Sequence, residues 1–110
     1  METDRTEPTA VLLVFSTAPT DQAEALAEAL VEERLAACVN VTAPVRSIYR
    51  WQGKVEKDDE RLLIIKTDRA HWPRLRDTLA RLHPYEVPEI LALPVADGER
   101  SYLRWVEESL

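Results

Sequence analysis

The stretch of sequence that decides the fold is residues 37–67, ACVNVTAPVRSIYRWQGKVEKDDERLLIIKT. It has no helical period, it is rich in β-branched and aromatic residues, and Gln52-Gly53 stands midway as a two-residue turn. The stretch therefore predicts one long β-hairpin in which paired positions add up to 105, as 52 and 53 do. In that register Arg46 lies opposite Asp59, which is a favourable charge pair.

Apolar patterns on both sides of the hairpin predict two further strands and three helices. Before the hairpin we expect a strand at residues 10–15, closed by a turn at 16–19, and then a helix from a cap at Thr20 or Asp21 to about Arg34. After the hairpin we expect a helix, a strand at 89–93 and a last helix at 101–110. The inner face of the first of these two helices carries Trp72, Leu75, Leu79 and Leu82, and that of the last carries Tyr102, Leu103 and Val106. Pro44 predicts a kink in the first hairpin arm. This order matches the split βαβ plan, so the predicted fold class is α+β. We expect a ferredoxin-like sandwich: an antiparallel sheet with two helices on one face, the long hairpin and a short C-terminal helix.

Length and charge limit the number of domains and the kinds of partner that the chain can have. The 110 residues fit a single domain at residues 10–110 behind a flexible polar tail at residues 1–9. With 14 Lys and Arg against 20 Asp and Glu, the net charge of −6 argues against nucleic acid as a partner. No apolar run approaches the ~20 residues that cross a bilayer, so no membrane partner is expected. A lone Cys38 and a start without a secretory signal predict a cytoplasmic location.

Three apolar runs lack the alternation of a strand that has one open face. They lie at residues 10–15, 62–65 and 90–93. Such runs are typical of strands covered on both sides, and two helices cover only one, so we expect another copy of the chain to cover the second. Hairpin arms of about 14 residues reach ~45 Å, which predicts a projecting tip with Trp51 buried in a neighbour, and with Tyr49 and Ile64 in the same interface. The alternative is a bent hairpin that leaves Trp51 half exposed.

Recognised nucleotide and zinc motifs are absent. The only glycines, Gly53 and Gly98, form no phosphate loop, and no paired cysteines exist, so no organic cofactor is expected. Cys38 enters an apolar strand, where cysteine is more often a small buried hydrophobe than a metal ligand. Lys66 is expected either as the lone cation of a pocket between subunits or as a rim residue paired with a carboxylate such as Glu89. An acidic stretch is formed by Glu56, Asp58, Asp59 and Glu60. These carboxylates could attract divalent cations, or they could merely solvate a strand edge.

His83 is the residue with the most chemical options. It precedes Pro84, which favours an extended conformation, and it stands close in sequence to Tyr85, Glu86 and Glu89. The imidazole has three interpretations: a metal ligand, a general base, or a histidine whose positive form the helix C-terminus favours. The sequence by itself leaves all three open.

Five blocks of sequence point to a family when they are taken together. They read LAACVN at residues 35–40, YRWQGK at 49–54, IKT at 65–67, HPYEVPEI at 83–90 and YLRW at 102–105. In this order, across nearly the whole chain, they resemble the CutA divalent-cation tolerance family. The resemblance implies a ferredoxin-like subunit, a tight homotrimer similar in architecture to the PII signalling proteins, a cytoplasmic location, and tolerance to copper and other divalent cations.

The resemblance also implies site residues. His83 matches the motif histidine, while Cys38, Lys66 and Glu89 match positions that line clefts between subunits. The expected metal ligands are His83, Cys38 and Glu89, and the expected cleft residues are Lys66, Tyr85, Glu86 and Trp51. The chain has Ser16 where some members have a cysteine and Leu82 where some have a second histidine, so only weak binding of copper or another divalent cation is expected.

Three classes of function follow from these observations. The first is a non-enzymatic trimer that binds a divalent cation at clefts between subunits, or a PII-like trimer that binds a small molecule there. The second is a small enzyme with His83 as the base, oriented by Glu86 or Glu89, although no nucleophile or cofactor motif supports it. The third is a scaffold for an unidentified protein partner.

Overall fold

The computed structural model describes residues 9–110 of the chain. Its elements are β1 (Val11–Pro19), α1 (Ala23–Glu32), β2 (Cys38–Trp51), β3 (Lys54–Asp68), α2 (Trp72–Leu82), β4 (Leu91–Pro94) and α3 (Arg100–Glu108). The predicted tail at residues 1–9 lies outside the described residues except for Thr9. The Thr9 backbone N–H and hydroxyl donate hydrogen bonds of 2.9 and 3.0 Å to the carbonyl oxygen of Val95.

The four strands form one sheet in the order β2-β3-β1-β4, and every neighbouring pair is antiparallel. Helix α1 connects β1 to β2, and helix α2 connects β3 to β4. Each helix therefore bridges two strands that have one other strand between them, which is the split βαβ arrangement. The predicted α+β, ferredoxin-like fold class is confirmed.

The hairpin of β2 and β3 has the predicted register in its outer part. Arg46 pairs with Asp59, and the Arg46 Nε atom lies 2.9 Å from Asp59 Oδ1. The register shifts between Val41 and Pro44, at the place where Pro44 predicts a kink. Proline has no backbone N–H to donate to the neighbouring strand, and a bulge accommodates that loss.

The hairpin tip is a tight turn that projects from the rest of the fold. Gln52 has a φ of 49° and Gly53 a φ of 81°, so both turn residues take the left-handed conformation of a type I′ turn. The principal extents are 54 × 29 × 24 Å, which agrees with the predicted projection. Within one chain the Trp51 side chain at the tip is 38% exposed.

Strand β1 is longer than predicted. The stretch at residues 16–19, expected to be a turn, continues the strand, and it pairs with β3 from Ser16 opposite Leu63 to Pro19 opposite Glu60. The turn prediction was wrong because β3 offers pairing partners along this whole length. The predicted helix caps were also wrong: Gln22 occupies the N-cap of α1 and makes no side-chain cap hydrogen bond.

The core lies between one face of the sheet and the helices α1 and α2. It consists of Val14, Ala18, Ala23, Leu26, Leu30, Leu35, Ala36, Leu63, Ile65, Leu75 and Leu79. Strand residues alternate between faces, and the opposite face of the β1–β3 pair carries side chains that are only half-buried in one chain. These are Leu13, Phe15, Leu62 and Ile64.

Three predicted burial assignments were wrong within one chain. Leu82 is exposed, because it is the last residue of α2 and the buried position at that end belongs to His83. Strand β4 was expected in the core, yet Leu91 is 56% exposed because β4 is an edge strand. Tyr102 of α3 was expected inward and is exposed, while Val106 of the same helix is buried as predicted.

In the part of the chain that the structure describes, no helix combines the length and the apolar character needed to cross a membrane.

Candidate functional site

A hollow of about 670 Å³ lies between the outer part of the β2–β3 hairpin and the segment that follows α2. We call it the acidic cleft. It is lined by Thr17, Ser47, Ile48, Tyr49, Trp51, Asp58, Glu60, Pro84, Tyr85, Glu86, Val87 and Glu89. Strand residues supply one wall and residues 84–89 the other, so the cleft joins parts of the chain that are distant in sequence.

His83 anchors the second wall of the acidic cleft. It ends α2 in an extended conformation with φ −69° and ψ 137°, as expected of a residue that precedes proline. Its Nε2 atom donates to the Thr17 carbonyl oxygen at 2.8 Å, because a carbonyl can only accept. Its Nδ1 atom accepts from the Tyr85 backbone N–H at 3.2 Å. His83 is 7% exposed, and because both ring nitrogens are engaged in hydrogen bonds, neither is free for a metal ion.

Tyr85 links the two walls. Its hydroxyl donates a hydrogen bond of 2.7 Å to Glu60 Oε2 on β3, and its ring packs against the His83 ring with centroids 4.8 Å apart. Burial, followed by the hydrogen bond to the Glu60 carboxylate, raises the pKa of the Tyr85 hydroxyl above its ordinary value. Glu60 is only 6% exposed, so this bond satisfies a carboxylate oxygen that water reaches poorly.

A second tyrosine and carboxylate pair lies on the hairpin itself. The Tyr49 hydroxyl donates to Asp58 Oδ2 across the two arms. This hydrogen bond to a carboxylate raises the pKa of Tyr49 to about 12, because the phenol must keep its proton to donate it. Both tyrosines of the acidic cleft are therefore held as neutral donors to carboxylates.

The charge of the acidic cleft is one-sided. Four carboxylates line it, from Asp58, Glu60, Glu86 and Glu89, and no lysine or arginine within residues 9–110 does. Two arginines of the hairpin are engaged elsewhere: Arg46 pairs with Asp59, and Arg61 donates to the carbonyls of Thr20 and Thr42. The cleft therefore has a negative potential that attracts cations.

The structure brings together five of the predicted site residues and separates three others. Trp51, Tyr49, Tyr85, Glu86 and Glu89 line the acidic cleft. Cys38, Ile64 and Lys66 lie towards the opposite end of the sheet; Lys66 is six residues beyond Glu60 on β3, or about 20 Å. The Lys66 ammonium contacts Asn40 Oδ1 and lies 3.6 Å from Cys38 Sγ. The pairing of Lys66 with Glu89, which was one of the two expectations for this lysine, is not formed among the described residues.

The donors do not fit a resident copper ion within one chain. Over residues 9–110, no group of three or more His, Cys, Asp or Glu side chains is arranged to hold a metal. The soft donors are apart, since Cys38 lies beside Lys66 while His83 uses both ring nitrogens. Ser16, at a position where some relatives were expected to have a cysteine, is fully buried on the core-facing side of β1.

Two carboxylates of β3 that line the acidic cleft were not among the predicted site residues. Glu60 and Asp58 belong to the acidic stretch, for which plain solvation of a strand edge was one of two readings. The hairpin register held a usable signal, because alternate residues share a face. Asp58 lies opposite Ser47, so Asp58 and Glu60 lie on the face of Ser47 and Tyr49.

A second groove, of about 440 Å³, lies between α1 and β2. It is also rimmed by carboxylates but has no aromatic side chain. Its lining is Glu24, Ala27, Glu28, Val31, Glu32, Val39 and Val41. Both hollows are lined by carboxylates, but only the acidic cleft is lined by aromatic side chains. The groove therefore serves as a reference for what carboxylates do without aromatic rings.

Comparison with known proteins bears out the resemblance of the five sequence blocks. The family described as CutA1 divalent ion tolerance protein matches residues 12–109. The divalent-cation tolerance protein CutA of Thermus thermophilus is 52% identical over 98 residues, which cover 88% of this chain and 95% of that protein. Human protein CutA is 47% identical over 102 residues, which cover 92% of this chain and 57% of the human protein.

Solved structures agree with the fold. The crystal structure of CutA from Xylella fastidiosa superposes with a TM-score of 0.88 at 43% identity, covering 92% of this chain and 98% of that one. Other relatives are named for different compartments, as a chloroplastic protein in Arabidopsis thaliana and a periplasmic one in Archaeoglobus fulgidus. The match over residues 12–109, together with the identity to the Thermus protein, establishes that this chain belongs to the CutA1 divalent ion tolerance protein family.

Proposed function

We propose that this chain is a non-enzymatic, cytoplasmic homotrimer that acts in divalent-cation tolerance by binding a cation weakly in the acidic cleft. The observation that carries the proposal is the set of four carboxylates around one hollow, which none of the described lysines and arginines lines. Relatives at about half identity are named for divalent-cation tolerance, which supports the same role. The lone cysteine supports a reducing compartment.

The donor chemistry favours a hard divalent cation over copper. Carboxylate oxygens suit ions such as Mg²⁺ and Mn²⁺, whereas copper prefers nitrogen and sulfur donors. Glu86 and Glu89 are exposed on one wall, so they can turn towards an ion that keeps part of its water shell. His83 acts as a positioning residue that fixes this wall through Thr17, and Cys38 and Lys66 have no part in a cleft that is formed by one chain.

Exposed apolar surface supports the homotrimer. The half-buried Ile64 lies on the sheet face that α1 and α2 leave uncovered, and Tyr49, Ile48 and Trp51 are exposed on the hairpin. Strands β2 and β4 are the two edges of the sheet and offer unpaired backbone groups. A second copy would cover these surfaces, and the hairpin would then bring the acidic cleft close to a neighbouring subunit.

The volume of the acidic cleft supports a second candidate, a PII-like trimer that binds a small molecule. A hollow of about 670 Å³ is within the range of small-molecule sites. A scaffold function for another protein has no specific feature of the described residues in its favour.

The test is calorimetric titration of the metal-stripped protein with Mn²⁺ and with Cu²⁺. We expect Mn²⁺ to bind with a dissociation constant of about 10⁻⁴ M or weaker, as at sites with few fixed oxygen ligands. The double variant Glu60→Gln, Glu89→Gln is expected to weaken binding about tenfold, because it removes two of four charges. The matched control is Glu28→Gln, Glu32→Gln in the α1–β2 groove. Equal affinity in both double variants would refute the assignment of cation binding to the acidic cleft.

A further inference from the structure

The aromatic side chains of the acidic cleft indicate what kind of cation it holds. We infer that the acidic cleft prefers an organic ammonium group, so that its ligand is an amine-bearing small molecule, while a bare divalent metal ion is held only weakly. This inference rests on the proposed function, because it specifies the cation for the same cleft.

Three aromatic rings share the hollow with the carboxylates. Tyr49, Trp51 and Tyr85 all line it, and they come from β2 and from the segment after α2, so they surround the space from both walls. The faces of tyrosine and tryptophan rings attract cations, and organic ammonium ions gain most because their hydration is weak. The hydroxyls of Tyr49 and Tyr85 are each bonded to a carboxylate, which holds the two rings in place.

The second step is the state of Glu60. It is 6% exposed and lines the hollow, and no lysine, arginine or histidine pairs with it among the described residues. A buried carboxylate without a counter-charge is costly, and a cation entering the hollow relieves that cost. The single hydrogen bond from Tyr85 leaves the other carboxylate oxygen available to a ligand.

The third step is the contrast between the two kinds of cation. A tightly held metal ion needs several donors at fixed distances, and no described group of three such side chains meets that need. An ammonium group requires only negative potential, ring faces and space. A hollow of about 670 Å³ gives space for an organic molecule around that group. The α1–β2 groove has carboxylates but no aromatic ring, so the inference does not extend to it.

Calorimetric titration of the full chain with tetramethylammonium chloride, and with Mn²⁺ in parallel, tests the inference. Tert-butanol, which is similar in size and uncharged, serves as the neutral reference. The aromatic variants are Trp51→Leu and Tyr85→Leu, with Tyr85→Phe as the variant that keeps the ring. Trp105→Leu is the matched control, since Trp105 is 46% exposed and lies outside the cleft. Because loss of the Trp51 ring is expected to weaken assembly, sedimentation first sets a protein concentration at which every variant is assembled as the wild type is, and the titrations are carried out at that concentration.

We expect tetramethylammonium to bind, tert-butanol not to bind, and Trp51→Leu and Tyr85→Leu each to weaken tetramethylammonium about tenfold while leaving Mn²⁺ unchanged. Trp105→Leu should keep wild-type affinity, and Tyr85→Phe, which keeps the ring but loses the hydrogen bond that holds it, should weaken tetramethylammonium binding less than Tyr85→Leu does. Tetramethylammonium binding that is indifferent to both leucine variants overturns the inference. Binding of Mn²⁺ alone, dependent on Glu60 and Glu89, overturns the inference and leaves the proposed function in place. Binding of neither cation overturns both.

Discussion

Tyr85 and Glu60, which are 25 residues apart in sequence, join the two walls of the acidic cleft through a hydrogen bond of 2.7 Å. The bond gives a buried carboxylate its donor and ties the segment after α2 to the hairpin. Replacing Tyr85 with phenylalanine keeps the ring and removes the donor. We expect Tyr85→Phe to lower the free energy of unfolding by roughly 1–3 kcal/mol, because Glu60 then loses its partner while it stays buried.

Urea unfolding followed by circular dichroism measures this loss. The matched control is Tyr102→Phe on α3, because Tyr102 is exposed in one chain and its ring stacks on Trp105 rather than on a carboxylate. We expect the control to stay within about 0.5 kcal/mol of wild type. Equal stability of the two phenylalanine variants would contradict a structural role for the Tyr85 hydroxyl.

Tyr49 gives the hairpin a dependence on alkaline pH. Its folded-state pKa of about 12 lies above the ordinary value of 10.0, so its hydrogen bond to Asp58 stabilises the fold fully below pH 10 and loses that effect as the pH rises towards 12. Asp58→Asn replaces the carboxylate acceptor with a neutral amide and is expected to lower the pKa of Tyr49 towards 10. The absorbance of tyrosinate at 295 nm follows the titration.

The assignment of that signal requires one further variant. Tyr49→Phe should remove the ionisation step that moves in Asp58→Asn and leave the rest of the titration curve unchanged. If the titration curve of Asp58→Asn superposes on the wild-type curve up to pH 12, the hydrogen bond to Asp58 does not raise the pKa of Tyr49.

The outer part of the hairpin could be predicted in detail because its rules are local, whereas the pairing on the inner side of the bulge between Val41 and Pro44 departs from the predicted register. A two-residue turn and a period of two are enough to set the register, and the pairing of Arg46 with Asp59 followed from them. The extended conformation of His83 was equally predictable, since it depends on the next residue alone.

The acidic cleft could not be predicted in the same way because its contacts cross the whole fold. His83 Nε2 bonds to a backbone carbonyl 66 residues away, at Thr17, and a carbonyl leaves no signature in the sequence. Glu60 becomes buried only because the segment after α2 covers it. The exposure of Leu91 on β4 likewise depends on the position of that strand at a sheet edge, which apolar content does not reveal.

Ser16 is a polar residue that the core tolerates without a hydrogen bond. Its hydroxyl is fully buried, and its Oγ atom has no hydrogen-bond partner in the part of the chain that the structure describes. We expect Ser16→Ala to keep or raise the free energy of unfolding, by up to about 1 kcal/mol, because the variant removes an unsatisfied polar group. Thr67→Val is the matched comparison, since the Thr67 hydroxyl is equally buried but donates to the Leu35 carbonyl at 2.7 Å.

Thermal and urea unfolding of both variants provide the measurement. Thr67→Val leaves the Leu35 carbonyl without its donor and is expected to cost about 1–2 kcal/mol. A loss of that size in Ser16→Ala would mean that the Ser16 hydroxyl is satisfied in solution, and the contrast between the two buried hydroxyls would then disappear.

The proposed homotrimer makes Trp51 the decisive side chain of the hairpin tip. Within one chain Trp51 is 38% exposed at the end of a projecting hairpin, and large aromatic residues that become buried between subunits commonly dominate an interface. We expect Trp51→Ala to raise the protein concentration at which the assembly dissociates by about tenfold or more. Trp105→Ala removes an indole of similar exposure from α3 and is the control for a general loss of apolar surface. Sedimentation velocity over a dilution series measures both. If Trp51→Ala dissociates at the same protein concentration as the wild type, the hairpin tip contacts no neighbouring subunit. The exposed tip would then need another partner to cover it.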